Sequence, residues 1–79
     1  MSDYDVTETL DVQGENCPMP VVKTKQRADA LDAGSVLEVL ATDPGSVSDI
    51  AGWAENTPGV ELLAQDEDDV ITHHVRVTE

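Results

Sequence analysis

Cysteine is nearly absent from this 79-residue chain, which has one, Cys17. A single thiol closes no internal disulfide and leaves no Cys-x-x-Cys pair for a dithiol redox cycle. Aromatic residues are scarce too, with one Trp, one Tyr and no Phe, so a core must be built from Val, Leu, Ile and Ala. Positive charge is the third shortage. Four Lys and Arg stand against 17 Asp and Glu, for a formal net charge of −13. Such a field repels phosphates and anionic lipid, which argues against direct nucleic-acid binding and against a membrane surface. No apolar run approaches the length of a membrane span. The acidic start, Met1-Ser2-Asp3-Tyr4-Asp5, lacks the pattern of a secretory signal. Together with a lone thiol, these absences predict a cytoplasmic protein. No ligand cluster has zinc spacing, so neither a metal nor another cofactor is expected.

The length fits one domain over residues 1–79, with an ordered core at about 6–78. A core of this size gives marginal stability, and no disulfide or metal reinforces it. The acids run from Asp3 to Glu79 and form no tail. That spread suits a proteome adapted to high internal salt, where a solvated acidic surface stays soluble and self-repulsion is screened.

Alternation predicts a first strand over Val6–Val12, broken only by Glu8. A turn follows at Gln13–Asn16, where Gly14 is free to take positive φ. A helix is expected from about Cys17, with Pro18 in its first position, Pro20 in its first turn and Gly34 as its stop. Its apolar face is Val21, Val22, Ala28 and Leu31, with Thr24 and Lys25 filling the turn between them. The near-continuous apolar run Ser35–Thr42 reads as a central strand, and Asp43-Pro44-Gly45 breaks it. A second helix spans about Ser46–Asn56, with Ser46 as N-cap and Gly52 as a point of close packing. Val60–Gln65 and Val70–Val77 form a closing hairpin around the acidic turn Asp66–Asp69. In the last strand Ile71, His73, Val75 and Val77 should face the core, and Val70, Thr72, His74 and Arg76 the other side. The order β-α-β-α-β-β predicts an α/β (α+β) two-layer sandwich: a mixed four-stranded sheet, both helices on one face, and the opposite face partly open to partners.

Cys17 carries the chemistry in this reading. A thiol at a helix N-terminus feels the positive end of the macrodipole and the free N–H groups of the first turn, which favour the nucleophilic thiolate. Pro18 and Pro20 remove two of those N–H groups, leaving Met19, Val21 and Cys17 itself as nearby donors. Lys23, Lys25 and Arg27 place three of the four basic residues on the same helix and would add positive field and a docking patch. A buried, inert cysteine and a merely solvated basic helix face are the alternatives. His73 and His74 are adjacent on a strand and point opposite ways, so at most one could approach the thiol. A lone activated thiol without a base or a cleft suits carrying a group better than turning over a substrate.

Leu10-Asp11-x-x-Gly14-x-x-Cys17-Pro18-x-Pro20 resembles the Cys-Pro-x-Pro signature of the TusA/SirA family of small sulfur-carrier proteins. The likeness runs over about residues 8–78, through Gly34, Asp43-Pro44, Asp49-Ile50 and the closing hairpin. It implies that Cys17 accepts a persulfide sulfur from a donor such as a cysteine desulfurase or a rhodanese-like enzyme and relays it to an acceptor. In the family such relays feed tRNA thiolation, molybdenum-cofactor biosynthesis or sulfur oxidation. The resemblance assigns Pro18 and Pro20 to fixing the helix start, and Asp11 and Gly14 to the approach. Docking is expected on Met19, Val22 and the basic helix. The chain is expected to act as a monomeric sulfurtransferase-type carrier, not a self-sufficient enzyme. A selenium-handling variant and a redox-sensing or regulatory interaction module are the other readings. Some family members have a second cysteine in the second helix; the matching Gly52-Trp53-Ala54 has none.

Overall fold

A computed structural model of the chain describes residues 5–16 and 18–79. Its elements are β1 (Glu8–Asp11), α1 (Met19–Asp29), β2 (Val36–Ala41), α2 (Ser46–Glu55), β3 (Val60–Glu67) and β4 (Ile71–Val77). They form one four-stranded sheet in the order β1-β2-β4-β3. β1 runs parallel to β2, whereas β4 is antiparallel to both β2 and β3. The apolar run of β2 therefore lies inside the sheet, as its composition predicts, and its sequence neighbour β3 becomes an edge. α1 packs on β2, α2 on β3 and β4, and the two helices touch each other, so both lie on one face. This is the βαβαββ two-layer arrangement expected.

The core sits between sheet and helices. Val12, Leu37, Val39, Ala41, Ile50 and Val75 are all fully buried and form one cluster, with Leu10, Val21, Leu31, Trp53, Val60 and Leu62 packed against it. Burying branched aliphatic side chains stabilises by roughly 1.5–3 kcal/mol each, and the fully buried cluster is wholly aliphatic, with Trp53 only at its margin. β4 alternates as expected: its core face pairs His73 with Val39 and Val75 with Leu37 across β2. Glu8, the one break in the pattern of β1, aligns with Leu37 on this same helix-facing side. Its carboxylate meets Arg27 of α1 at 2.8 Å, so the apparent flaw is a cross-layer ion pair.

Several boundaries differ from the sequence reading. β1 is shorter than Val6–Val12, and Val6 is exposed. α1 begins at Met19; Pro18 is its N-cap residue at φ −96° and ψ 10°, and Pro20 lies at the second helical position. The reason is a turn closed by the Met19 N–H on the Asn16 carbonyl at 2.9 Å, which brings the chain round before the helix starts. α1 ends at Asp29, well before Gly34. Gly34 instead takes φ +94° in the loop, where its N–H reaches the Val77 carbonyl. Its buried stripe is Pro20, Thr24 and Ala28. Thr24 is an integral part of that stripe because its hydroxyl bonds back to the Pro20 carbonyl at 2.7 Å.

In α2, Gly45 is the N-cap and Ser46 is a buried helical residue. A Cβ on Gly52 would meet nothing within 4 Å, so Gly52 provides no close packing. β3 extends to Glu67, into the stretch read as the acidic turn. The outward face of the sheet is more closed than expected, since Val36 and His74 are buried. Glu38 lies there, accepting from His74 Nε2 at 2.9 Å and from the Thr9 hydroxyl at 3.2 Å.

Candidate functional site

The segment that joins β1 to α1 holds the Cys-Pro-x-Pro motif. Cys17 itself lies outside the described residues; those on either side define the setting. Each backbone N–H that leaves a strand needs a new acceptor, and most here can be traced. Val12 N–H still follows the sheet ladder, bonding to the Leu40 carbonyl at 2.8 Å. Gln13 N–H turns to the Asp11 carboxylate at 3.0 Å. Gly14 N–H reaches the Thr42 hydroxyl at 2.8 Å, and Glu15 N–H closes a turn on the Val12 carbonyl at 3.2 Å. Met19 N–H and Val22 N–H then bond to the carbonyls of Asn16 and Pro18. The Met19 N–H, expected as a donor beside the thiol, is thus engaged by the chain itself.

Gly14 has φ +83° with open space where a Cβ would stand. Its requirement is conformational, because a residue with a side chain is strained at that φ whatever the room. Asp11 and Gly14 both act on the turn out of β1. Pro18 and Met19 are exposed and Pro20 is buried. Met19, at 41% exposure, is one of the few large apolar side chains facing solvent among the described residues.

The basic residues of α1 are spread by function. Lys23 Nζ meets Glu15 Oε2 at 2.5 Å and ties the helix to the motif-bearing loop. Arg27 is held by Glu8. Lys25 is exposed and has no ion-pair partner among the described residues. Leu10, Lys23, Gln26 and Arg27 line a shallow depression between β1 and α1. Much of the expected positive patch is therefore neutralised locally, and Lys25 is the basic side chain presented outright. Surface pairs stabilise by only about 0–1 kcal/mol, so the effect of these half-exposed ones is on shape and charge more than on stability.

The histidines are elsewhere. His73 is fully buried under the start of α2, with Nε2 3.1 Å from Ser46 Oγ and Nδ1 3.0 Å from Gln65 Nε2. His74 is on the opposite face with Glu38. No group of three His, Cys, Asp or Glu among the described residues could hold a metal ion. No helix among them is long and apolar enough to cross a membrane. Sequence reasoning missed Thr42 and Glu15 as parts of the loop. Thr42 is 28 residues from Gly14 and Glu15 lies outside the helical spacing to Lys23, so neither leaves a local signal.

Comparison with known proteins agrees with this setting. The family described as Sulfurtransferase TusA matches residues 8–78. A Halobacterium salinarum protein that carries a sulfur-carrier name is 65% identical over 78 residues, covering 98% of this chain and 96% of that one. The sulfur carrier protein TusA of Allochromatium vinosum is 44% identical over 68 residues, 86% of each chain. The crystal structure of a SirA-like protein from Desulfitobacterium hafniense matches with a TM-score of 0.72 at 30% identity, covering 91% of this chain and 99% of that one. With the family matched over nearly its whole length and the fold shared with a solved relative, this chain belongs to the TusA family.

Proposed function

We propose that the protein is a sulfur carrier that takes a persulfide sulfur onto Cys17 and hands it to an acceptor. The observation that carries the reading is the position of the chain's sole cysteine, one residue before the Pro18 N-cap of α1 and within the family's motif. A thiol so placed in the chain is favoured as thiolate by the helix start.

The exchange balances without an outside oxidant. The Cys17 thiolate attacks the outer sulfur of a donor persulfide. The donor's S–S bond breaks, the donor cysteine leaves as a thiolate, and Cys17 becomes a persulfide. In delivery an acceptor nucleophile attacks that outer sulfur and the Cys17 thiolate is the leaving group. No base on this chain is required, in keeping with both histidines being engaged in the sheet. Donors of the cysteine desulfurase or rhodanese-like class fit this step. A desulfurase-fed thiolation route or cofactor-building route would consume the product. Exposed Met19 and Lys25 beside the motif, with Lys23 and Arg27 behind them, offer the docking surface for those proteins. We place the carrier in the cytoplasm, as a monomer built from one domain over residues 1–79.

The test is cyanolysis of the loaded chain. Cyanide removes a persulfide's outer sulfur as thiocyanate and should return the protein to its unmodified mass. A loaded mass that cyanide leaves untouched would contradict a persulfide on Cys17 and would favour oxidation of the thiol, as in a redox sensor.

A further inference from the structure

We propose that Thr42 is a positioning residue for the Cys17 thiol; the proposal deepens the carrier reading and rests on it. The ladder between β1 and β2 ends with Val12 N–H on the Leu40 carbonyl. Alternate residues of a strand donate to one neighbour, so the next donor in line is Gly14, and its N–H finds a side chain of β2's end instead of a backbone carbonyl. The Thr42 side chain restores the connection: its Oγ1 accepts the Gly14 N–H at 2.8 Å. A threonine hydroxyl does the same at the opposite end of this strand pair, where Thr7 Oγ1 accepts the Val36 N–H at 3.0 Å. β1 has only four residues, so these side-chain bonds extend an otherwise short attachment.

Gly14 lies three residues before Cys17. The loop between them is held on one side by Thr42 and on the other by the Glu15–Lys23 pair. The ion pair is half-buried, so salt weakens it in part; the hydroxyl bond is uncharged and salt leaves it alone. In a protein with a net charge of −13, the hydroxyl clamp keeps its full strength while ions weaken the other. Threonine suits it because its β-branch restricts χ1 and aims the oxygen. The clamp acts on the loop that leads into the motif, and a thiol held at a helix start is favoured as thiolate over an ordinary cysteine.

The experiment compares wild type, Thr42→Val and Thr42→Ser in the full chain. Three readouts are used: amide exchange at Gly14, the pH profile of Cys17 alkylation by iodoacetamide, and loading from sodium polysulfide followed by intact mass. Thr42→Val keeps the shape and removes the acceptor, whereas Thr42→Ser keeps the acceptor. Thr42→Val should speed Gly14 exchange about fivefold, as expected for one lost hydrogen bond. It should also move the alkylation midpoint to higher pH and slow polysulfide loading at neutral pH. Thr42→Ser should restore all three. An alkylation profile for Thr42→Val that superimposes on wild type, or a Thr42→Ser chain as impaired as Thr42→Val, overturns the proposal. Should Thr42→Val fail to fold, Thr42→Ala takes its place with the same three expectations, and an unprotected Gly14 amide in wild type overturns the proposal by itself. A wild-type chain that never loads sulfur, while Thr42→Val still shifts the alkylation midpoint, overturns the carrier reading and upholds the role of Thr42.

Discussion

The bonds around His73 admit one tautomer. Gln65 Nε2 faces the Val47 carbonyl at 2.9 Å, an acceptor only, so the amide nitrogen is fixed there and donates its other hydrogen to His73 Nδ1. Nδ1 is therefore the ring's acceptor, and Nε2 carries the hydrogen that it donates to Ser46 Oγ. Burial, and after it the charge of neighbouring His74, hold the His73 pKa below the ordinary 6.5. A depressed histidine pKa means the unfolded chain binds the proton first as pH falls. The stability His73 contributes is present above pH 6.5 and is lost as pH drops from there through the folded-state value. Denaturant midpoints measured from about pH 7.5 down to about pH 5 should fall more steeply in wild type than in His73→Gln; equal slopes would contradict the assignment. Ser46→Ala strands the buried Nε2–H and should destabilise by about 1–3 kcal/mol, read by urea unfolding. A loss of only a few tenths would contradict that bond. Sequence reading took Ser46 for a cap because serine at a helix start has two uses. The partner that decides between them is 27 residues away.

At the scale of elements, periodicity served well where neighbours in sequence settle the outcome. The alternation in β4 and the apolar run of β2 were both legible, because one buried face or two leave a direct imprint. Element ends were less so. The start of α1 depends on the turn from Asn16 to Met19, and the role of Glu8 depends on Arg27 in another layer. Gly52 illustrates a feature that sequence alone misassigns. It was read as a close contact, yet its surroundings are open, so in α2 it has only the entropic penalty of glycine. Gly52→Ala should raise stability by about 0.5–1 kcal/mol, seen as a higher melting temperature with the sulfur-carrier activity unchanged. A drop in melting temperature would show that space at Gly52 is needed after all.

Charge dominates the molecule as a whole. Four basic residues cannot balance 17 acidic ones, and three of them are already committed to glutamates. Salt weakens those surface pairs, which contribute little, and at the same time screens the repulsion among the remaining acids. The second effect is larger, so melting temperature should rise from about 0.1 M to about 2 M potassium chloride; melts flat across that range would refute it. Topology and family membership were legible in the chain because the Cys-Pro-x-Pro segment sits where strand pattern gives way to helix pattern. The clamp that holds this segment was not, since it joins residues brought together by the β1–β2 pairing. The carrier role is tested most directly by intact-protein mass after incubation with a cysteine desulfurase and cysteine. The wild-type chain should gain one sulfur, lose it to reductant, and gain none once Cys17 is changed to Ser. A wild-type chain that keeps its own mass with every persulfide donor, or a Cys17→Ser chain that loads equally well, would contradict it.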